Sequence, residues 1–198
     1  MKNNLLLPVL ILFTFSCCTK EKTITQKQTV ATIPVTGFSK YTIKKGAQFA
    51  NENAYVQSNY SELKFIVKFD SSAIYKSITA ENQFDINKLY GFSDNNSGHH
   101  QFSARFGWRW SDNALRLFGY VYNNGVRDSK ELGTVKIGAE NICSIKISLT
   151  AYIFSLNGKI ETLPRSSTTL TAVGYKLYPY FGGNEYAPHD IFIWIKEL

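Results

Sequence analysis

Residues 101–122, "QFSARFGWRWSDNALRLFGYVY", constrain the fold more than any other part of this 198-residue chain. Phe102, Ala104, Phe106, Trp108 and Trp110 alternate with Ser103, Arg105, Gly107 and Arg109. After Asp112-Asn113 a second alternation sets Leu115, Leu117, Gly119 and Val121 against Arg116, Phe118, Tyr120 and Tyr122. A period of two is the signature of a strand with one apolar face. Two such runs around a two-residue Asx turn form a hairpin.

Treating Asp112-Asn113 as the turn predicts the register. Ser111 pairs with Ala114, Trp110 with Leu115, Trp108 with Leu117 and Ala104 with Val121, while Phe106 fills the space across from Gly119. A slip by one residue would expose every apolar side chain, so this register is the one that satisfies both strands. It forces a second face on which Arg109 opposes Arg116, Gly107 opposes Phe118, Arg105 opposes Tyr120 and Ser103 opposes Tyr122. Directly opposed like charges repel, so Arg109 and Arg116 either splay apart or share an anion. Arg105 over Tyr120 makes a cation–π pair. Arg, Tyr and Phe beside a bare glycine form a platform suited to a sugar ring and its carboxylate or sulfate. The same face equally suits an ordinary solvent side, or a partner carboxylate such as Asp94 or Glu185.

Other segments read the same way. "ELKFIVKF" puts Leu63, Phe65, Val67 and Phe69 on one face, and "AYIFSLNGKIETL" is a hairpin around Asn157-Gly158. Cys143 shares a face with Ile145, Ile147 and Leu149 and reads as a small buried hydrophobe. Only "SSAIYKS" and its surroundings are capable of a short helix, so at most one is expected. About 160 residues from Phe38 onward suffice for a core, and short strands between turn signals predict an all-β sandwich.

The N-terminus differs in kind. Lys2 precedes an apolar run from Leu5 to Phe15, too short to span a bilayer, and then Ser16 and Cys17. The expectation is a lipoprotein signal over residues 1–17 ending at a lipidated Cys17, although an ordinary cleaved signal has the same outline. Residues 18–37, rich in Thr, Lys and Gln, read as a tether, with a short strand around residues 29–35 as an option. The domain then occupies residues 38–198. A net charge of +7 permits anionic partners, acidic glycans or a membrane surface. No nucleic-acid motif appears.

Three segments, "DINKLYGFSD", "HHQFSARFGWRW" and "KLYPYFGGNEYAPHDI", resemble a family of uncharacterised Bacteroidetes lipoproteins, which in turn look related to concanavalin-like or laminin-G-like jelly rolls. The resemblance runs from about Tyr41 to Ile195. It implies a two-sheet antiparallel jelly-roll β-sandwich on the outer membrane, concerned with glycans, and it carries over no catalytic residue. The E-x-D-x-x-E of glucanases of this fold is absent. Of the alginate-lyase motifs only "YSELK" at Tyr60–Lys64 and "HHQ" at His99–Gln101 offer faint echoes.

Histidines 99 and 100 are adjacent, so on a strand they point to opposite faces and at most one joins His189 in a site. Zinc-ligand spacing is missing. "GFSDNNSG" gathers oxygen atoms that suit calcium, but with one carboxylate an Asx-rich turn accounts for it better, and no other cofactor is expected. In "FGGNEYAPHDI" the glycines and Pro188 are turn signals, leaving Asn184, Glu185 and His189 for a rim. The expected function is non-catalytic carbohydrate binding, with an acidic polysaccharide preferred. Its contacts would be Arg105, Arg109, Arg116, Tyr120 and Tyr122, with His100 and His189 at the rim. A polysaccharide lyase and a protein-binding adhesin are the alternatives.

Overall fold

The computed structural model describes residues 37–198; the signal segment, Cys17, the tether and the optional strand at residues 29–35 lie outside the described residues. Among the described residues, twelve strands build two six-stranded antiparallel sheets. One sheet runs β1 (Ser39–Ile43), β12 (Ile191–Glu197), β3 (Glu62–Phe69), β8 (Glu140–Ile147), β9 (Ala151–Leu156) and β10 (Lys159–Pro164). The other runs β2 (Gln57–Tyr60), β11 (Ala172–Leu177), β4 (Asn87–Ser93), β5 (Phe102–Ser111), β6 (Ala114–Asn123) and β7 (Val126–Val135). Sequence neighbours often fall in different sheets, giving the all-β jelly-roll sandwich that the alternations and the resemblance predict.

Every pair anticipated for the β5–β6 hairpin is present, from Ser111 with Ala114 to Ser103 with Tyr122. Asp112 and Asn113 both adopt positive φ, 51° and 56°, as the type I′ turn requires. The Asn157-Gly158 turn joins β9 to β10 in the same way. Between the sheets Phe65 meets Phe106 edge-on at 5.4 Å, Phe106 meets Phe154 at 5.4 Å, and Phe69 tilts against Trp108 at 5.6 Å. Each such burial contributes roughly 1.5–3 kcal/mol. Phe154 also explains Gly119, because a Cβ there would stand 3.1 Å from Phe154 and from Leu163.

One end of the sandwich is closed by a polar clasp. Asp94, at the end of β4, accepts from Arg165 Nε at 2.8 Å and from the Tyr152 hydroxyl at 2.8 Å, with both members of the ion pair wholly buried. Arg165 donates further to Ser167 Oγ and to the Thr169 carbonyl, so its guanidinium is well satisfied. In "GFSDNNSG" the carboxylate is thus taken by a guanidinium, and Asn95 Oδ1 accepts from Ser167 and Thr168.

The described residues hold no α-helix, only two short 3-10 turns, Ser71–Ala73, capped by Asp70 within the segment read as capable of a short helix, and Ala80–Phe84. One expectation is corrected. Leu149 is not buried with Cys143 and Ile145, since β8 ends at Ile147 and the chain turns outward. Cys143 itself is fully buried, which pushes its thiol pKa up and leaves it unreactive.

Candidate functional site

The second face of the β5–β6 hairpin does not look onto open solvent. It floors a cleft of about 580 Å³ on the outer side of the β2–β7 sheet. Cross-strand pairing lays out the floor in rows. Leu177, Gly91, Arg105, Tyr120 and Ser129 form one row across β11, β4, β5, β6 and β7. Ser93, Ser103, Tyr122 and Arg127 form the next, in which Tyr122 and Arg127 line the cleft and the two serines are buried. Gly91 is bare because a Cβ there would run into the backbone and Cβ of Arg105, so the arginine stem lies over it.

Arg105 is only 7% exposed and has no carboxylate partner among the described residues. Its Nε is buried without an acceptor, and its guanidinium carbon stands 5.7 Å from the Tyr120 ring centre. Burial pulls its pKa down to about 10, a loss that the surrounding tyrosines partly offset. Leaving a charged donor unmatched in a desolvated place is costly, and such groups are ordinarily paired.

A bulge brings a second cation beside it. The β4–β5 register shifts between Lys88 and Gly91, so Leu89 and Tyr90 are both buried while Lys88 lines the cleft. Lys88 Nζ donates to the Gly182 carbonyl at 3.0 Å and lies 5.1 Å from the Tyr120 ring centre. Burial, then the Arg105 charge, bring its pKa down to about 8. Arg127 and Lys176 also line the cleft; Lys176 is already paired with Glu197 at 2.8 Å. Tyrosines 55, 120, 122, 175, 178 and 180 supply most of the aromatic wall, and no acidic residue is among the lining residues described.

The histidine expectation is corrected. His99 and His100 lie in the turn before β5, not on a strand, so alternation does not separate them and both line the cleft. His99 Nδ1 shares a 2.9 Å hydrogen bond with the Tyr175 hydroxyl. Burial, then Arg105 and His100, lower the His99 pKa to about 4, so it is neutral at physiological pH. The His100 ring meets Tyr122 at 5.2 Å.

Of the residues anticipated from sequence, Arg105, Tyr120, Tyr122 and His100 come together in the cleft, and Arg109, Arg116 and His189 do not line it. Arg109 shares the face of Arg105, but the Ala80–Phe84 turn folds over that end of the sheet. There Arg109 Nη1 donates to the Phe84 carbonyl at 2.7 Å and the guanidinium lies against the Phe84 and Phe118 rings. Ile86 fills the place left by Gly107. Arg116 splays the other way, to Glu131 at 2.9 Å and Asp112 at 3.2 Å. His189 Nε2 is bonded to the Ser72 carbonyl at 2.8 Å.

Residues 182–190 are mainly structural. The Glu185 carboxylate accepts from Ile78 N, Thr79 N and Asn82 Nδ2, each at 2.8 Å, which pins the cover over Arg109. Asp190 accepts from Lys44 Nζ and Lys45 N. Gly183 does reach the cleft wall, pressed against Asp85 so closely that no side chain fits.

Sequence reasoning missed Lys88, Arg127, Tyr55, Tyr175 and Tyr180. "NKLYGF" holds a weak signal for Lys88: alternation fails across Leu89-Tyr90, as it must at a bulge.

No protein-family model matches the chain, and no curated protein matches it in sequence. Solved structures do share its fold. They include alginate lyase AlyC3 (TM-score 0.55, 8% identity, 80% of this chain and 73% of that chain). The laminarinase catalytic domain from Thermotoga maritima is similar to the same degree (TM-score 0.53, 11% identity, 80% and 74%). So is the Crh5 transglycosylase in complex with NAG (TM-score 0.52, 8% identity, 80% and 70%). The protein is a two-sheet jelly-roll β-sandwich with a basic, tyrosine-walled cleft on one sheet.

Proposed function

We propose that this cleft binds an acidic carbohydrate. One observation carries the reading: Arg105 is buried and charged, has no carboxylate partner among the described residues, and opens onto a cleft whose described lining includes no acidic residue. A sugar carboxylate or sulfate supplies the missing acceptor through charge-assisted hydrogen bonds, while the half-buried Tyr122 offers its ring to a sugar face. The fold agrees with this role, since structures that share it include an alginate lyase, one form of which is in complex with dimannuronate (TM-score 0.51).

The test is affinity electrophoresis of residues 37–198 through gels holding separate neutral and acidic polysaccharides. Retardation by an acidic polymer that persists in moderate salt is expected, because diffuse charge attraction is screened there. Equal mobility in every gel would overturn the reading.

A lyase reading has one observation of its own. Lys88, with a pKa near 8, stands in the same cleft as Arg105. An arginine that neutralises a uronate carboxylate beside an amine able to take a proton suits β-elimination. Appearance of the ultraviolet absorbance of an unsaturated uronate would decide for it; an intact polymer would decide for binding. Anchoring through Cys17 to the outer membrane belongs to the same proposal, and labelling with radioactive palmitate, lost in Cys17→Ala, tests it.

A further inference from the structure

A second hollow, of about 600 Å³, adjoins the basic cleft and shares Tyr55 and Tyr175 with it. These rings lie 5.4 Å apart, tilted by 34°, and form a low partition between the two. The hollow continues along the same face of the sheet. Gln57 pairs with Tyr175 and Asn59 with Val173, so both side chains stand on the cleft side of β2. The loop residues Asn96 and Ser97 form its far wall. The chemistry changes at the partition: on one side are Arg105, Lys88 and Arg127, while no charged residue is among the described residues that line the other side.

We infer that the two hollows form one groove for an internal stretch of a linear glycan in which acidic and neutral sugars alternate. This rests on the acidic-carbohydrate reading of the basic half and extends it. The acidic sugar sits over Arg105 and Tyr122. Its neutral neighbour crosses Tyr55 and Tyr175 and meets the side-chain amides of Gln57, Asn59 and Asn96. Amides both donate and accept, which matches hydroxyl or acetamido groups, whereas a carboxylate there would lose its water and gain no cation. The groove therefore selects against an uninterrupted polyuronate, whose second carboxylate would fall in the uncharged half.

Titration calorimetry with two oligosaccharide series of increasing length tests this: hyaluronan fragments, which alternate uronate and N-acetylhexosamine, and oligogalacturonates. For hyaluronan fragments a gain of about tenfold or more is expected once the fragment is long enough to cross the partition, equivalent to one added set of hydrogen bonds. Gln57→Ala/Asn59→Ala should abolish that gain and leave the shortest fragment's affinity unchanged, which also shows that the variant is folded. Arg105→Met should abolish binding of every length. Oligogalacturonates that bind as well at every length, or a length gain that survives the double substitution, would overturn the groove while leaving the acidic site standing. Failure of both series to bind would overturn both.

Discussion

The Arg105 guanidinium stands 5.7 Å from the ring centre of Tyr120, its direct partner across β5 and β6, and its Nε reaches no acceptor among the described residues. The ring contributes a face that attracts the cation, on the order of 1–2 kcal/mol when desolvated. It accepts no directional hydrogen bond, so the arginine retains its capacity for an anion.

Replacing Arg105 should therefore separate stability from binding. Arg105→Met keeps the stem over Gly91 and removes an uncompensated buried charge, so the folded state is expected to gain about 1–3 kcal/mol. Urea unfolding would register this as a higher midpoint with an unchanged slope. Affinity for an acidic polysaccharide should fall by about a hundredfold or more in the same variant. A loss of stability would mean that Arg105 holds the fold together instead.

Lys88 sets a pH dependence whose sign follows from its lowered pKa. An anionic ligand favours the charged amine, so affinity should be full below pH 8 and decline as the pH rises through about 8. Unfolding has its own dependence. Between about 8 and the ordinary lysine value of 10.5 the unfolded chain holds a proton that the folded chain has released, so stability should rise with pH in that window. Lys88→Met should flatten both profiles, which binding and unfolding curves at stepped pH would reveal.

The Asp94–Arg165 clasp is expected to behave as a unit. Asp94→Asn or Arg165→Met alone strands a buried charge and should cost about 3–5 kcal/mol. The double variant should cost clearly less than the sum of the two, a coupling that a double-mutant cycle in urea would measure. Additive losses would mean that the two side chains act independently.

Gly91→Ala has no room, because its Cβ would meet the backbone of Ala104 and Arg105 on the adjacent strand. A destabilisation of about 2 kcal/mol or more is expected, together with a displaced Arg105 and weaker binding. Ser129→Ala, in the same row but exposed on β7, should leave thermal stability within about 0.5 kcal/mol and serves as the control.

Residues 101–122 determined their own structure. Strand, turn, register and the two faces all follow from a period of two and an Asx turn, which are local properties of the chain. The buried alternations of β3 and β12, Leu63 to Phe69 and Ile191 to Ile195, were legible for the same reason. What lay above the hairpin's second face was not. Arg105 and Arg109 are two residues apart on one strand and indistinguishable by pattern, yet one floors a cleft and the other is capped by Phe84, 25 residues away. A carboxylate from Glu185, more than 100 residues away from Ile78 and Thr79, fixes that cover in place. The bulge that aims Lys88, and the turn that brings His99 and His100 to one side, likewise depend on neighbouring strands. Period and turn chemistry act within a few residues, so sequence decides which side chains share a face. Which of those faces stays open is decided by segments distant in the chain that pack over it, and only the tertiary structure contains that information.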